Sequence, residues 1–215
     1  MMRQRVSRFH AAGNAVCSCP MITIRPATAV DQDALGRFGG ALMRQHHAAD
    51  PLRFIQVEHP EAGYGRFLVS QLTNPASVVL VADRAGEVVG YIWAAIEGIS
   101  WKDLRGPCGY VHDIFVDEPV RGLGAGRALL REAIAWIRAH GRSQVVLWTK
   151  TRNDRAKSLF LGTGFRTTMT EMTLDVEPSP SVEIQKPRTA GSAGPGEGPA
   201  DGQPKPDRDG PSGRW

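Results

Sequence analysis

The chain lacks any apolar run near the roughly 20 residues that a membrane-spanning helix needs, which excludes an integral helical membrane protein. Cysteine is scarce: three in 215 residues, at Cys17, Cys19 and Cys108. That number and spacing exclude a disulfide-framework fold. Only Cys108 falls in the apparent domain, which fits a reducing compartment, so a cytoplasmic protein is expected. The first twenty residues contain no acid, and no uninterrupted apolar stretch of the about 7–15 residues a secretory signal requires. A strong charge bias is missing too. The net charge is +4, yet residues 21–177 hold 18 basic and 17 acidic groups and residues 178–215 hold 5 of each. The surplus comes from Arg3, Arg5 and Arg8. A near-neutral body gives no reason to expect nucleic acid as a partner, and neither nucleic acid nor membrane is expected.

Apolar residues make up 41% of the chain and charged residues 22%, so a globular core is affordable. It is not spread evenly. Residues 1–20 are Arg-rich without apolar periodicity and read as a disordered arm or upstream extension, with a transit peptide as the alternative. Residues 178–215 are rich in Pro and Gly and too poor in apolar groups to offset chain ordering, so they read as a disordered tail. The folded unit is expected at residues 21–177.

Within that unit the pattern alternates. Ile22–Arg25 reads as a strand. Thr28 can cap a helix with Leu35, Phe38 and Leu42 on one face. Pro60 starts a second helix carrying Tyr64, Phe67, Leu68 and Leu72. Val78–Ala82 and Val88–Ile96 read as strands around the turn Arg84-Ala85-Gly86. Tyr110–Val116 is a further strand and Arg121–His140 a long helix, buried through Leu129, Leu130, Ala133, Ile134 and Ile137. Val145–Thr149, Asp154–Leu161 and Phe165–Val176 read as strand, helix and final strand region. This order implies an α/β (α+β) fold, a mixed sheet with helices on both faces.

The segment Val116-Asp-Glu-Pro-Val-Arg121-Gly122-Leu123-Gly124-Ala125-Gly126-Arg127 carries the most chemistry. A strand runs into a turn, and three glycines open a helix. Without a Cβ, backbone amides can approach a bulky anion closely. The first helical turn adds unpaired N–H groups and the positive end of the dipole. Together these make a phosphate cradle, flanked by Arg121 and Arg127. A loop that merely permits tight strand–helix packing is the alternative. The dinucleotide pattern G-x-G-x-x-G fails from Gly122, where Arg127 takes the sixth place, and from Gly124, where Leu129 does. A Walker loop is absent.

Arg121-x-x-Gly124-x-Gly126, together with Asn153-x-x-Ala156-x-x-x-Phe160-x-x-x-Gly164-Phe165, resembles the GNAT superfamily of acyl-CoA-dependent N-acyltransferases. The resemblance covers roughly residues 21–175. It implies a mostly antiparallel sheet with a splayed central strand pair, and acetyl-CoA as co-substrate. It also implies that amides of about Leu123 to Arg127 hold the pyrophosphate while Arg121 shapes the loop. Phe115 and Val116, on the splayed strand, would serve the pantetheine arm and thioester. Asn153 would hydrogen-bond the pantetheine, and it can also cap the next helix. The family often has a tyrosine acid where this chain has Phe160. Phenylalanine donates no proton, so Phe160 would pack against cofactor or sheet, and the thiol would leave as thiolate or take a proton from water.

Amide formation from a thioester needs a neutral amine, so a base or water chain must take a proton. His112 and Asp113 lie on the strand entering the splay, where relatives often carry an acid at the position of His112. Successive strand residues face opposite ways, so one of the pair is expected to face substrate. His112 titrates near working pH and is the first choice; a structural sheet histidine is its alternative. Asp113 is the second choice, and Glu97 on the neighbouring strand the third. His46, His47 and Asp50 have no third partner at ligand spacing, so no metal is expected. Cys108 with His112 suggests a thiol nucleophile that direct transfer does not need. Trp93 and Trp148 are expected in the core, and Trp101 at a substrate mouth or on an exposed loop. The expected activity is acetyl transfer from acetyl-CoA to a small-molecule or peptide amine, with a homodimer possible and a non-catalytic acyl-CoA-binding sensor or interaction domain as the alternative.

Overall fold

The computed structural model describes residues 21–176; the arm at 1–20 and the tail at 178–215 lie outside the described residues. Five strands form one sheet in the order β1-β2-β3-β4-β5: β1 (Ile22–Pro26), β2 (Ser77–Arg84), β3 (Glu87–Glu97), β4 (Cys108–Val116) and β5 (Val145–Leu147). The first four are antiparallel neighbours, and β5 lies parallel to β4. The mixed sheet expected from element order is therefore present. Ala85 and Gly86 take φ of 56° and 85°, the consecutive left-handed pair of a tight hairpin between β2 and β3.

Helices cover both faces. On one, α1 (Gln32–Ala49) and α2 (Pro60–Ser70) bury Leu35, Phe38 and Leu68 against Val79, Val81, Tyr91 and Phe115. On the other, α3 (Ala125–Ala139) and α4 (Asp154–Leu161) pack on Leu80, Ile92, Ala94 and Val111. The stripe Leu129, Leu130, Ala133 and Ile137 of α3 is fully buried. Each Leu or Ile there contributes roughly 1.5–3 kcal/mol by leaving water.

Three expected boundaries move. Thr28 caps a one-turn 3₁₀ segment, Ala29–Asp31, before α1 begins. Its N–H donates to Asp31 Oδ2 at 2.8 Å, and Arg25 forks onto the same buried carboxylate at 2.9 Å. The helix expected from Arg121 starts at Ala125, because Gly122 and Gly124 hold φ of 88° and 92° and cannot be helical. The final strand expected over Phe165–Val176 is not formed among the described residues. It has the composition of a strand but no ladder partner, and β5, at three residues, presents little edge to pair with.

Candidate active site

The glycine turn leads directly into α3. A Cβ built on Gly122 or Gly124 would meet nothing within 4 Å, so their positive φ, not crowding, calls for glycine. Gly126 is tighter, its Cβ position 3.3 Å from Leu159 and 3.6 Å from Val116. The Ala128 N–H closes the first turn on Gly124 O at 3.0 Å, leaving the amides of Ala125, Gly126 and Arg127 facing out of the helix end. Leu123 and Arg127 are exposed beside them. Arg121 turns inward: its Nε donates to Val116 O at 2.9 Å, and its guanidinium lies over the Phe115 ring at 5.6 Å. It ties the loop to the end of β4.

The strand leading into this turn has an open edge. β5 pairs with β4 only at Gly109, Tyr110 and Val111. From His112 to Val116 no described strand adjoins β4 on that side, while β3 continues along the other. The Val116 carbonyl is taken by Arg121, which leaves its outward contribution to the amide. Phe115 sends its ring, 7% exposed, into the core beside Phe38.

The two strand candidates do not face opposite ways. Trp93 pairs with Asp113 and Ala94 with Val111, so His112 is the extra residue of a β-bulge. Val111 enters the core shared with α3, whereas His112 and Asp113 both lie on the α1–α2 face. Period-two alternation fails here because the bulge inserts one residue into one strand only.

The His112 ring stacks on Trp93 at 4.1 Å and contacts Tyr110 at 4.7 Å. Its Nε2 is 3.4 Å from Glu97 Oε1. Arg105 pairs with the other Glu97 oxygen, and its guanidinium lies over the Tyr110 ring at 5.5 Å. Glu97, Asp103, Arg105, Tyr110, His112 and Trp148 line an open cleft of about 350 Å³. Burial pushes the His112 pKa below its ordinary value, only partly offset by the Glu97 charge. The imidazole is therefore neutral around pH 7, which a proton acceptor requires.

Asp113 is held differently. Its Oδ2 accepts the Tyr64 hydroxyl at 2.5 Å and the Tyr91 hydroxyl at 3.2 Å. Burial pushes its carboxyl above the usual range, and the two phenols pull against that shift. It does not line the cleft.

Asn153 caps α4, its Oδ1 accepting the Ala156 N–H at 3.1 Å. Phe160 is 5% exposed and sits in the core against Phe165. Trp93 is half-buried, but Trp148, expected in the core, is 65% exposed and forms a cleft wall. Trp101 is exposed on its loop. Cys108 is fully buried under Arg105, and burial pushes its thiol pKa up, which disfavours a nucleophilic thiolate. His46 and His47 place Nδ1 against the Leu42 and Phe54 carbonyls, each at 2.8 Å. Tyr64 and Tyr91 escaped the sequence reading as site residues because their partner Asp113 lies 49 and 22 residues away, and Arg105 because its loop carries no motif. Tyr110, two residues before His112, carried the one usable signal.

A family model described as the acetyltransferase (GNAT) family matches residues 42–165. Mycothiol acetyltransferase of Thermobispora bispora is 37% identical over 126 residues, 56% of this chain and 41% of that protein. The match thus spans about two fifths of that relative's length. An uncharacterized N-acetyltransferase of Bacillus subtilis, YhfO, is 30% identical over 105 residues, 48% of this chain and 68% of that protein. Among solved structures, a mutant of the BH1408 protein of Bacillus halodurans superposes with a TM-score of 0.64 at 26% identity, over 72% of this chain and 99% of that one. AAC(6')-Iy, solved with a CoA-containing bisubstrate analog, shares the fold with a TM-score of 0.56 at 15% identity, over 73% and 99% of the two chains.

Proposed function

The chain belongs to the GNAT acetyltransferase family, and from that premise we propose that it moves the acetyl group of acetyl-CoA to a primary amine seated in the cleft beside His112. The observation that carries this reading is the continuity of β4: an open strand edge runs from a neutral imidazole into an outward-facing set of helix-end amides. The amides of Ala125 to Arg127 suit a pyrophosphate, and the open edge suits the pantetheine arm lying along β4. Asn153 Nδ2 would add a donor to that arm.

The amine nitrogen attacks the thioester carbon in a ternary complex, and the carbon–sulfur bond breaks. The backbone N–H near Val116 stabilises the oxyanion. The neutral His112 imidazole takes the proton shed by the amine, directly or through one water, and Glu97 stabilises the resulting cation. With Phe160 in the acid position, the sulfur leaves as thiolate or takes its proton from water. Glu97 and Asp103 favour a cationic acceptor, and the relatives named mycothiol acetyltransferase support a small-molecule amine. The catalytic unit is residues 21–177.

The test is to mix the full chain with acetyl-CoA and a library of amines and follow free thiol. Thiol release that continues for many turnovers and depends on the amine supports the transferase. Tight CoA binding with no turnover against any amine class supports the non-catalytic acyl-CoA sensor instead.

A further inference from the structure

The proposed chemistry leaves one half-buried carboxylate without a task. Asp113 neighbours the base in sequence yet does not line the cleft, and its Oδ2 is committed to Tyr64 and Tyr91. We propose that Asp113, clamped between Tyr64 of α2 and Tyr91 of β3, is a positioning residue that pins the β4 bulge and so aims the His112 imidazole into the cleft. The catalytic consequence rests on the reading of His112 as base.

A bulge interrupts the hydrogen-bond ladder, so contacts beyond the backbone must favour it over regular pairing. With Asp113 and Phe115 kept in place, regular alternation would turn His112 to the opposite face, into the core beneath α3 where Val111 now sits. The bulge keeps both on the α1–α2 face. There Asp113 is anchored by O–H···O⁻ bonds, the stronger charge-assisted kind, at 2.5 and 3.2 Å. Its anchors come from separate elements, so neither strand can slip by a residue without breaking one.

A second observation lies on α1. A Cβ on Gly39 would fall 2.0 Å from Cδ1 of Tyr64. Glycine weakens a helix interior, and here its absent side chain is what lets the Tyr64 ring reach over to Asp113. Three elements are thus fitted around one carboxylate. The groups acting on Asp113 are His46 of α1, Tyr64 of α2, Tyr91 of β3 and His112; those acting on His112 are Glu97, Asp113 and Arg105.

Tyr64→Phe keeps the ring and removes one anchor; Asp113→Asn keeps the shape and removes the charge. Both are expected to leave CoA affinity unchanged while lowering kcat about tenfold, within the roughly 10²-fold that a 1 Å misplacement can cost. By ring-proton NMR, the His112 titration should move to lower pH in both. Asn carries no negative charge to favour imidazolium, and Asp113 without Tyr64 ionises less readily. Gly39→Ala should reproduce the Tyr64→Phe loss, and the double variant should add nothing to either. Wild-type kcat and an unmoved His112 titration in folded Tyr64→Phe and Asp113→Asn would overturn the proposal. Losses that add fully in the Gly39→Ala, Tyr64→Phe double variant would overturn the part given to Gly39. The NMR titration needs no turnover, so it reads the clamp even if His112→Ala shows that His112 is not the base.

Discussion

Replacing Gly124 by aspartate separates a phosphate cradle from a merely flexible turn. Gly124 has φ 92° and ψ −6°, and a Cβ there meets no atom within 4 Å. The folded state therefore bears only left-handed strain, about 1–2 kcal/mol, and Asp at an N-cap position offsets part of it. A domain with the usual margin of roughly 5–15 kcal/mol stays folded. The effect on CoA is electrostatic. A carboxylate about 4 Å from one phosphate charge costs about 4 kcal/mol at the effective dielectric of a protein surface. Screening reduces this toward about 2 kcal/mol, so affinity should fall roughly 30- to 1000-fold. Gly124→Asn carries the same strain and shape without the charge, and should lose less than about tenfold. Calorimetric titration of CoA into both variants checks this, repeated at about 1 M salt, where the Debye length shrinks to ~3 Å and the gap should narrow. Equal affinities for the Asp and Asn variants at low salt would refute the assignment of these amides to the pyrophosphate.

Four other outcomes follow. His112→Ala should lower kcat about 10²-fold with little change in acetyl-CoA affinity, and the deficit should shrink as pH rises and more amine arrives neutral. A wild-type pH–rate profile would pass the role to Glu97 or solvent. Because burial depresses the His112 pKa in the folded chain, the unfolded chain binds that proton more tightly. Its contribution to stability should therefore be lost as pH falls through about 6.5 and below, and recovered above, which acid denaturation of wild type and His112→Ala will compare. A chain trimmed to residues 21–177 should bind CoA like the full chain and keep its Tm, since the removed ends lack the apolar content to join a core; a large fall in Tm would show that one of them packs on the domain. Phe160→Ala should cost about 3–5 kcal/mol in a denaturant titration, as a core truncation does; a loss confined to CoA affinity would instead make Phe160 a cofactor contact.

What the sequence determined was local. The α3 stripe, the hairpin at Ala85 and Gly86, the glycine turn after β4 and the Asn153 cap each depend on residues a few positions apart, so periodicity and turn chemistry exposed them. Tertiary structure decided what needs a distant partner. The segment Phe165–Val176 has strand composition, but a strand exists only when another backbone completes its ladder. His112 and Asp113 share a face because Tyr64 and Tyr91, 49 and 22 residues from Asp113 in sequence, hold the bulge between them. The cleft forms because Arg105 and Glu97 meet across a loop and β5 ends at Leu147, leaving Trp148 exposed as a wall. Local preferences act through the torsions of neighbouring residues. Ladder pairing, burial and ion pairing act through space, and only the folded chain brings those partners within reach.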